Sequence, residues 1–247
     1  MATVRFIGPG RAGRSLAAAL ENTEHVVVGL LGRGDDIADA ARGVDVLVLS
    51  VPDRHIAEVA AQIRPRASTA VLHMSGSQGL EVLAPHPRRG SVHPLVPLPT
   101  PEVGAARLVA GATFAVDGDP VARELVASLR GRTVLVRDEN RAAYHAAACM
   151  AANHLVALMG QVSRVAESIG LDLDAFLGLA RAALCDVEAL GPVEALTGPA
   201  ARGDSATLSR HRAALPPEEL AAYDACVELA QRLVSERDRD VAIVEVA

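Results

Sequence analysis

Three glycines near the start of the chain have the spacing of a loop that binds a dinucleotide. A β-rich run ends at Ile7, and a helical pattern begins at Arg14. Between them stand six loop residues: Gly8, Pro9, Gly10, Arg11, Ala12 and Gly13. Such glycines permit a tight turn, a close approach of the backbone to a pyrophosphate, and close packing of helix on strand. The helix start adds N–H donors, so the loop predicts a dinucleotide site; a glycine-rich turn without ligand is the alternative.

The end of the second predicted strand indicates which nucleotide would bind. NAD enzymes usually carry Asp or Glu there for the ribose hydroxyls, whereas this chain has Gly32 followed by Arg33. A small residue beside a guanidinium suits a 2′-phosphate, so we predict NADP(H) rather than NAD(H). Asp35 and Asp36 lie nearby and argue for the opposite choice, in which Arg33 is a solvated surface residue.

Two further strand ends are expected to face the same cleft. Val51 and Pro52 end the third predicted strand, where they can lie against the nicotinamide side of a cofactor. Ser75 follows the next strand, and we predict that it binds substrate. His73, on that strand, is as consistent with a structural role as with a functional one.

A helical segment carries polar residues at a spacing that can form an active site. His145, Cys149 and Asn153 are four residues apart, so they share a stripe. Arg141 begins that stripe, whereas Tyr144 is expected to point elsewhere. An imidazole with an unperturbed pKa near 6.5 can donate a proton close to neutral pH. The alternative is a set of core polar residues whose hydrogen bonds are satisfied.

A second polar cluster runs from Thr197 to Asp204. Asp204 is a good N-cap for the helix predicted after it. Arg202 and the start of that helix form a corner that suits a substrate carboxylate. We therefore predict that Arg202 and Asp204 bind substrate; the alternative is a plain helix cap with surface charges.

The alternation of strand and helix patterns predicts the fold class. β-rich and helical runs alternate as far as residue 138, which is typical of the doubly wound parallel α/β sheet of a Rossmann fold. The run 44–51 is almost continuously apolar, as in a strand buried on both faces. A short helix is predicted over 35–42, and a long Pro-rich loop over 85–101.

Beyond residue 138 the pattern is helical, with one long helix predicted over 142–169. We therefore predict two domains. Residues 1–138 form a dinucleotide-binding domain, and residues 139–247 form an all-helical domain for substrate binding and dimerisation.

Composition excludes several classes of function. The net charge is −6, and the aromatic residues are two Tyr and three Phe, so a nucleic-acid partner or an anionic membrane surface is not expected. All 24 basic residues are arginine, which excludes a lysine general acid and Schiff-base chemistry. The three cysteines lack metal-ligand spacing and no signal-peptide pattern is present, so we expect a cytoplasmic protein without a metal site.

One apolar run, residues 142–160, needs separate attention. It holds His145, Asn153 and His154, which are costly in lipid. We predict a buried helix of a soluble protein. A homodimer is expected because the Ala-rich second domain is too apolar to remain exposed.

The motifs together resemble a family of two-domain Rossmann-like proteins whose C-terminal helical domain has carried only the label of a domain of unknown function. The resemblance spans most of the chain. It rests on the glycine loop, Ser50-Val51-Pro52-Asp53, His93-Pro94-Leu95, Tyr144-His145-Ala146-Ala147-Ala148, Asn153, Thr197-Gly198-Pro199 and Arg202-Gly203-Asp204. The family is similar in architecture to pyrroline-5-carboxylate reductase, ketopantoate reductase and the β-hydroxyacid dehydrogenases, and its helical domain resembles that of 6-phosphogluconate dehydrogenase.

The resemblance implies NADP(H) binding in the first domain, dimerisation through the second, and a cleft between them. It implies an oxidoreductase that reduces a small 2-oxo acid, as ketopantoate is reduced in pantothenate biosynthesis. His145 would then donate the proton, with His93 as a second candidate, while Asn153 holds the substrate oxygen and Arg202 the carboxylate. An imine or pyrroline-carboxylate reductase is the closest alternative, and a prephenate-type dehydrogenase is a weaker one. An NADP-binding sensor or structural protein without turnover is an alternative of another class.

Two features depart from this family. Only one short helix fits between Arg33 and Val44, where relatives usually have an additional strand and helix. We therefore expect the sheet to lack an edge strand, which shortens the adenosine side of the site. The β-hydroxyacid and ketopantoate enzymes also use a lysine on the long helix as proton donor, whereas this chain has no lysine and places His145 on a comparable helix.

Overall fold

Seven strands form one sheet within residues 1–246, the part of the chain that a computed structural model describes, with side chains described through residue 239. The strands are β1 (Thr3–Ile7), β2 (Val26–Leu31), β3 (Val46–Leu49), β4 (Ala70–His73), β5 (Arg89–Pro94), β6 (Thr113–Gly118) and β7 (Arg132–Leu135). Their order is β2-β1-β3-β4-β5-β6-β7, and all neighbours pair in parallel except β5 and β6. The α/β fold is confirmed. Strand β2 forms one edge of the sheet, as expected from the short segment between Arg33 and Val44, which adds no further strand.

Helices cover both faces of this sheet. In chain order they are α1 (Arg11–Leu20), α2 (Ile56–Gln62), α3 (Pro101–Val109), α4 (Val121–Ser128) and α5 (Arg141–Cys149). One sheet face packs Phe6, Val48 and Leu72 against apolar residues of α1, α3 and α4. The other packs Leu49 and Val71 against α2. The alternation of side chains in a strand thus leaves every interior strand buried on two sides.

The second sheet face becomes polar where it reaches the carboxyl ends of β4 and β5. His73 lies two residues after Val71 and therefore points to the same face. Its register partner on β5 is Ser91, and His93 follows two residues later on that strand. Three polar residues thus continue an apolar core surface, which positions the cluster described below.

The contacts divide the chain into two compact units, residues 1–153 and residues 154–247. The second unit contains α6 (Leu155–Glu167), α7 (Asp174–Ala195), α8 (Ser205–Ala214) and α9 (Leu220–Val246). Glu219, directly before α9, ties the start of that helix to α6: its carboxylate accepts from Arg164 Nε at 2.5 Å and its backbone oxygen from Gln161 at 2.8 Å. The C-terminal part is therefore helical, as expected, while the functional boundary at residue 138 stays a prediction.

The helix predicted over 35–42 is wrong, because this segment forms a series of turns. Asp36 Oδ1 accepts the backbone N–H of Ala38 at 3.0 Å. The backbone oxygen of Ala40 accepts from the Arg5 guanidinium on β1 at 2.6 Å. Such bonds between side chains and backbone compete with those of a helix, and the segment is too short to outweigh them.

The long loop predicted over 85–101 is wrong in its centre, which forms β5. The strand lacks an apolar run because buried positions are filled by Gly90 and Ser91. A Cβ on Gly90 would lie 2.7 Å from Leu72 Cδ2, and Ser91 Oγ accepts a hydrogen bond from Arg141. Small and hydrogen-bonded residues thus replace the branched side chains that would have identified the strand.

The helix predicted over 142–169 is not continuous. Helix α5 ends at Cys149, a π-helical turn covers Met150–His154, and α6 follows. The wider turn rotates Asn153 relative to the stripe that an unbroken α-helix would form. The predicted stripe therefore extends only from Arg141 to Cys149.

The apolar helical segment is mostly uncovered within the chain, which corrects the prediction of a buried helix. Residues Asp138–Glu167 are long and apolar enough to cross a membrane by length and composition alone, and only 6% of the apolar 18-residue stretch within them is buried. Val156 is 72% exposed, and Leu179 on α7 is 71% exposed. An apolar surface of this kind is typical of a face that binds a partner.

Candidate active site

A cavity of about 520 Å³ opens at the carboxyl ends of β1, β2 and β3. Its walls come from the glycine loop, the turn after β2 and the segment after β3, and include Gly8, Pro9, Gly10, Gly32, Arg33, Ser50, Val51 and Pro52. Nucleotides bind at this edge in Rossmann folds. The structure therefore brings most of the predicted cofactor-binding residues to one cavity.

Ser50 explains why two positions of the loop require glycine. Its hydroxyl donates to the backbone oxygens of Gly8, at 2.7 Å, and Ile7, at 3.1 Å, and so holds the loop against the end of β3. A Cβ on Gly13 would collide with Ser50 Oγ and with the Gly8 oxygen. Gly8 has φ +105°, and a Cβ there would lie 2.7 Å from the Ser50 backbone.

Gly10 has a different environment, because a Cβ there would meet nothing within 4 Å. Gly10 is the N-cap of α1, where no side chain caps the helix, and its oxygen accepts the N–H of Arg14 at 3.0 Å. Helix geometry leaves the N–H groups of Arg11, Ala12 and Gly13 without intrahelical acceptors. We call this open space beside Gly10, at the start of α1, the cradle. Its size and the free N–H donors that border it together fit a phosphate group.

The turn after β2 presents Arg33 to the cavity and folds Asp35 back on the chain. Asp35 Oδ2 accepts the backbone N–H of Gly32 at 2.7 Å. Arg33 is exposed and lines the cavity. Both carboxylates that argue for NAD(H) thus accept backbone N–H groups, Asp35 from Gly32 and Asp36 from Ala38, although Asp35 also lines the cavity beside Arg33.

A second cluster lies at the ends of β4 and β5 and on the first turns of α5. His93 Nδ1 and the Tyr144 hydroxyl oxygen are 2.7 Å apart, which is a hydrogen bond. The rings of His93 and His145 have centroids 6.0 Å apart. A Cβ on Gly76 would lie 2.7 Å from His145 Cδ2 and 2.9 Å from His93 Cε1, so this glycine admits both rings.

Burial keeps the central pair uncharged near neutral pH. Burial, together with the neighbouring His145, lowers the pKa of His93 to about 4. Burial raises the pKa of Tyr144 to about 12. A neutral imidazole can accept a proton at one nitrogen while it gives one up at the other, so the pair can deliver a proton through the tyrosine hydroxyl.

Asp53 connects the two regions. It directly follows Pro52 of the cavity wall, and its Oδ2 accepts from the hydroxyls of Ser75, at 2.6 Å, and Ser77, at 2.8 Å. Gly76, which contacts both imidazole rings, lies between these serines. The nucleotide-sized cavity and the His93–Tyr144 pair therefore lie at adjacent strand ends, within the first unit.

His73 is fully buried beside this cluster and has a structural consequence. Neither ring nitrogen has a hydrogen-bond partner among the described residues. Burial, reinforced by the charge of Arg141, lowers the pKa of His73 to about 4. The unfolded chain would bind a proton here near pH 6.5, but the folded chain only near pH 4. His73 therefore contributes stability that is complete above pH 6.5 and is lost as the pH falls through 4.

Replacing His73 by Leu is expected to reduce the acid sensitivity of the fold. At pH 5 the proton linkage of this residue is worth about 2 kcal/mol of the free energy of unfolding. Urea unfolding at pH 7 and pH 5, followed by circular dichroism, would measure the difference. The matched control is His154→Leu at an exposed position, which should keep the acid sensitivity of the wild type. An equal pH dependence in His73→Leu and wild type would contradict this assignment.

Three further predicted site residues are described by their own surroundings. Asn153 is exposed in the π-helical turn. Asp204 caps α8, since it accepts the backbone N–H of Thr207 at 3.0 Å, and hydrogen bonds from Thr207 lower its pKa. Arg202 is exposed in the preceding turn. Within the second unit these two residues form a capped helix start, and their role toward a substrate stays a prediction.

Tyr144 is the principal functional candidate that the sequence patterns missed, and the expectation that it points elsewhere is wrong. A spacing of four residues selects His145 but not Tyr144. In the structure, β5 contacts a broader face of the helix, and this face includes both residues. Asp53 and Gly76 were missed because their partners are distant in sequence. For Tyr144 a usable indication existed, since it is one of two tyrosines and adjoins His145.

Comparisons with known proteins agree with this architecture. A family model for a domain of unknown function, DUF2520, matches residues 112–230, and a model of a Rossmann-like domain matches residues 35–99. No curated protein sequence matches the chain significantly. The fold thus defines a protein of the Rossmann-like class. More particularly, the chain matches the models of a Rossmann-like domain and of DUF2520 in succession, which confirms the resemblance inferred from its motifs.

Solved structures resemble the whole chain at low sequence identity. A protein from Thermotoga maritima superposes with a TM-score of 0.72 at 24% identity, covering 96% of this chain and 99% of that chain. A reductive aminase from Aspergillus terreus, in complex with NADPH and ethyl-5-oxohexanoate, gives 0.72 at 16%, covering 97% and 99%. A 1-pyrroline-5-carboxylate reductase from Streptococcus pyogenes gives 0.65 at 13%, covering 94% and 98%. At these identities the likeness establishes the fold.

Proposed function

We propose that this protein is an NADPH-dependent reductase of a small carbonyl or imine compound. The observation that carries the proposal is the continuity of two sites. A cavity built on a glycine loop reaches Pro52, and Asp53 next to it holds the loop that contacts His93 and His145. Solved structures of the same fold, a reductive aminase with NADPH and a pyrroline-carboxylate reductase, support this class.

The first unit offers contacts for three parts of the nucleotide. The cradle at Gly10 and the free N–H groups at the start of α1 would hold the pyrophosphate. Arg33 would bind the 2′-phosphate, and Val51 and Pro52 would line the nicotinamide side. NADPH supplies a hydride for reduction when it is bound. The residues of the chain would supply the proton and would orient the substrate.

Tyr144 is the better placed of two candidate proton donors. Its hydroxyl would protonate the substrate oxygen or nitrogen as the C=O or C=N bond is reduced. His93 would return a proton through Nδ1 while Nε2 takes one up from water, so the ring stays neutral overall. His145, 6.0 Å from His93 between ring centroids, is the second candidate donor and would flank the substrate.

The charges of the cluster favour an imine over a 2-oxo acid as substrate. The arginine of the cluster, Arg141, is 1% exposed and bonded to Ser91, so it is closed to a substrate carboxylate. Asp53 places a carboxylate beside the cluster, which would stabilise a protonated imine. A ketopantoate-like acid remains the second candidate, and it requires a cation such as Arg202 of the second unit.

The uncovered apolar helices support a homodimer. Helix α7 has no buried residue, and its Leu179, Leu184 and Leu190 are exposed. A second copy of the chain would cover such a surface through a self-complementary contact.

Arg33→Ala is expected to raise the Kd for NADPH about tenfold while changing the Kd for NADH less than about twofold, because only the 2′-phosphate loses a charge-assisted partner. Fluorescence titration of purified wild type and variant with both nucleotides measures this. The control is Arg123→Ala on α4, an exposed arginine away from the cavity. Equal losses for the two nucleotides would remove the assignment. If NADPH binds but no carbonyl or imine oxidises it, the alternative of an NADP-binding sensor or structural protein without turnover would be favoured instead.

A further inference from the structure

Among the side chains described, through residue 239, Arg141 is the largest with less than 2% of its surface exposed. It is the first residue of α5, three and four positions before Tyr144 and His145. Residues at these spacings share a side of a helix. A buried charge is therefore built into the same helix side that carries the candidate proton donors.

The guanidinium of Arg141 makes hydrogen bonds to two specific side chains. Nη2 donates to Ser91 Oγ on β5, and Nε donates to Asp138 Oδ1 at 3.3 Å. Nη1 is buried and has no partner among the described residues. The Asp138 side chain is 43% exposed and also accepts the N–H of Leu80, so the buried cation is compensated only in part. Placing a charge in this way costs stability, which points to a role other than stabilisation.

Two neighbouring side-chain hydrogen bonds connect α5 to β5. Ser91 and His93 are two residues apart on β5 and so point to the same side. Arg141 bonds the first of them, and Tyr144 bonds the second. Because both bonds join the same strand to the same helix, loss of the first would let α5 shift and would lengthen the second.

The positive charge of Arg141 also affects the protonation of His93 and Tyr144. Besides burial, three groups act on the pKa of His93: His145 and Arg141 from α5, and Asp53 from the segment after β3. Arg141 disfavours a proton on His93, and it favours the negative charge that develops on Tyr144 as its proton leaves.

We propose that Arg141, tied to Ser91, is a positioning residue that aligns the Tyr144 hydroxyl with His93 and stabilises the tyrosine oxygen during proton donation. The proposal rests on the proposed reductase function for its effect on turnover. Its geometric part concerns the free protein and is measurable without any substrate.

The test compares Arg141→Gln, which removes the charge, with Ser91→Ala, which keeps the charge but removes its acceptor. Each variant is examined by circular dichroism, by pH titration of the His93 ring signals in NMR spectra, and by kcat with a reduced substrate. The control is Arg88→Gln, which breaks an ion pair with Asp119 on the same sheet.

We expect Arg141→Gln to lower kcat about tenfold to hundredfold with the Kd for NADPH unchanged, because a small misplacement of a donor has effects of this size. The pKa of His93 should rise, because the positive charge of Arg141 disfavours a proton on that ring. Ser91→Ala should change the His93 signals and lower kcat to a smaller extent. Wild-type His93 titration in both folded variants would overturn the proposal; if Arg141→Gln does not fold, unchanged His93 signals in Ser91→Ala would do so alone. Altered ring signals in a protein that reduces nothing would support the positioning role and contradict the proposed function.

Discussion

Replacing Tyr144 by Phe is expected to lower kcat about 10²–10⁴-fold, the usual contribution of a positioned general acid. The hydroxyl lies 2.7 Å from His93 Nδ1, and it is protonated at neutral pH, since burial raises its pKa further above the ordinary value, to about 12. Phe fills the same volume, so the fold and the Kd for NADPH should not change, because Tyr144 lies outside the nucleotide cavity. Steady-state kinetics and nucleotide titration of the variant measure both quantities.

The chain contains its own matched control for this variant. Tyr223, the other tyrosine, also bonds a histidine, since its hydroxyl is 2.9 Å from His211 Nδ1 in the second unit. Tyr223→Phe loses a hydrogen bond of the same kind and should retain wild-type kcat. A His145→Asn variant should lose less activity than Tyr144→Phe. Retention of kcat within about threefold in Tyr144→Phe would contradict the assignment of the hydroxyl as donor and leave His145 in that role.

Filling the cradle at Gly10 is expected to abolish tight nucleotide binding without disturbing the fold. A Cβ at this position would meet no protein atom within 4 Å, so Gly10→Val should fold normally. Its side chain would occupy the space in which a phosphate approaches the start of α1. Loss of two charge-assisted hydrogen bonds, at about 1.5–3 kcal/mol each, predicts a Kd for NADPH at least about 100-fold higher.

Gly29→Val is the matched control for the cradle. Gly29 lies on β2 and also has no atom within 4 Å of a Cβ, but it does not line the cavity. Calorimetric titration with NADPH, together with melting curves, would compare the two variants. Equal affinities of Gly10→Val and wild type would show that the nucleotide does not use this loop.

Local patterns predicted the parts of the protein that local physics determines. The glycine loop could be recognised because it stands between a strand and a helix, and because the requirement for glycine at Gly8 and Gly13 is built into that turn. The Asp204 cap was equally predictable, since the side chain bonds a backbone group three residues away.

Features that depend on distant contacts could not be predicted in this way. Strand β5 has no apolar run, because Gly90 fits against Leu72, and Ser91 bonds Arg141 fifty positions later in the chain. The π-helical turn that moves Asn153 leaves no pattern in an Ala-rich segment. The bond between Tyr144 and His93 depends on how α5 lies on β5, which residue spacing along the helix does not specify.

The most direct test of the central claim is NADPH oxidation by the purified wild-type protein with a panel of cyclic imines and 2-oxo acids. We expect NADPH-dependent turnover that is faster with imines than with acids, and that is lost in Tyr144→Phe while Tyr223→Phe retains it. Tight NADPH binding with no oxidation by any member of the panel would contradict the assignment as a reductase and would favour a nucleotide-binding protein without turnover.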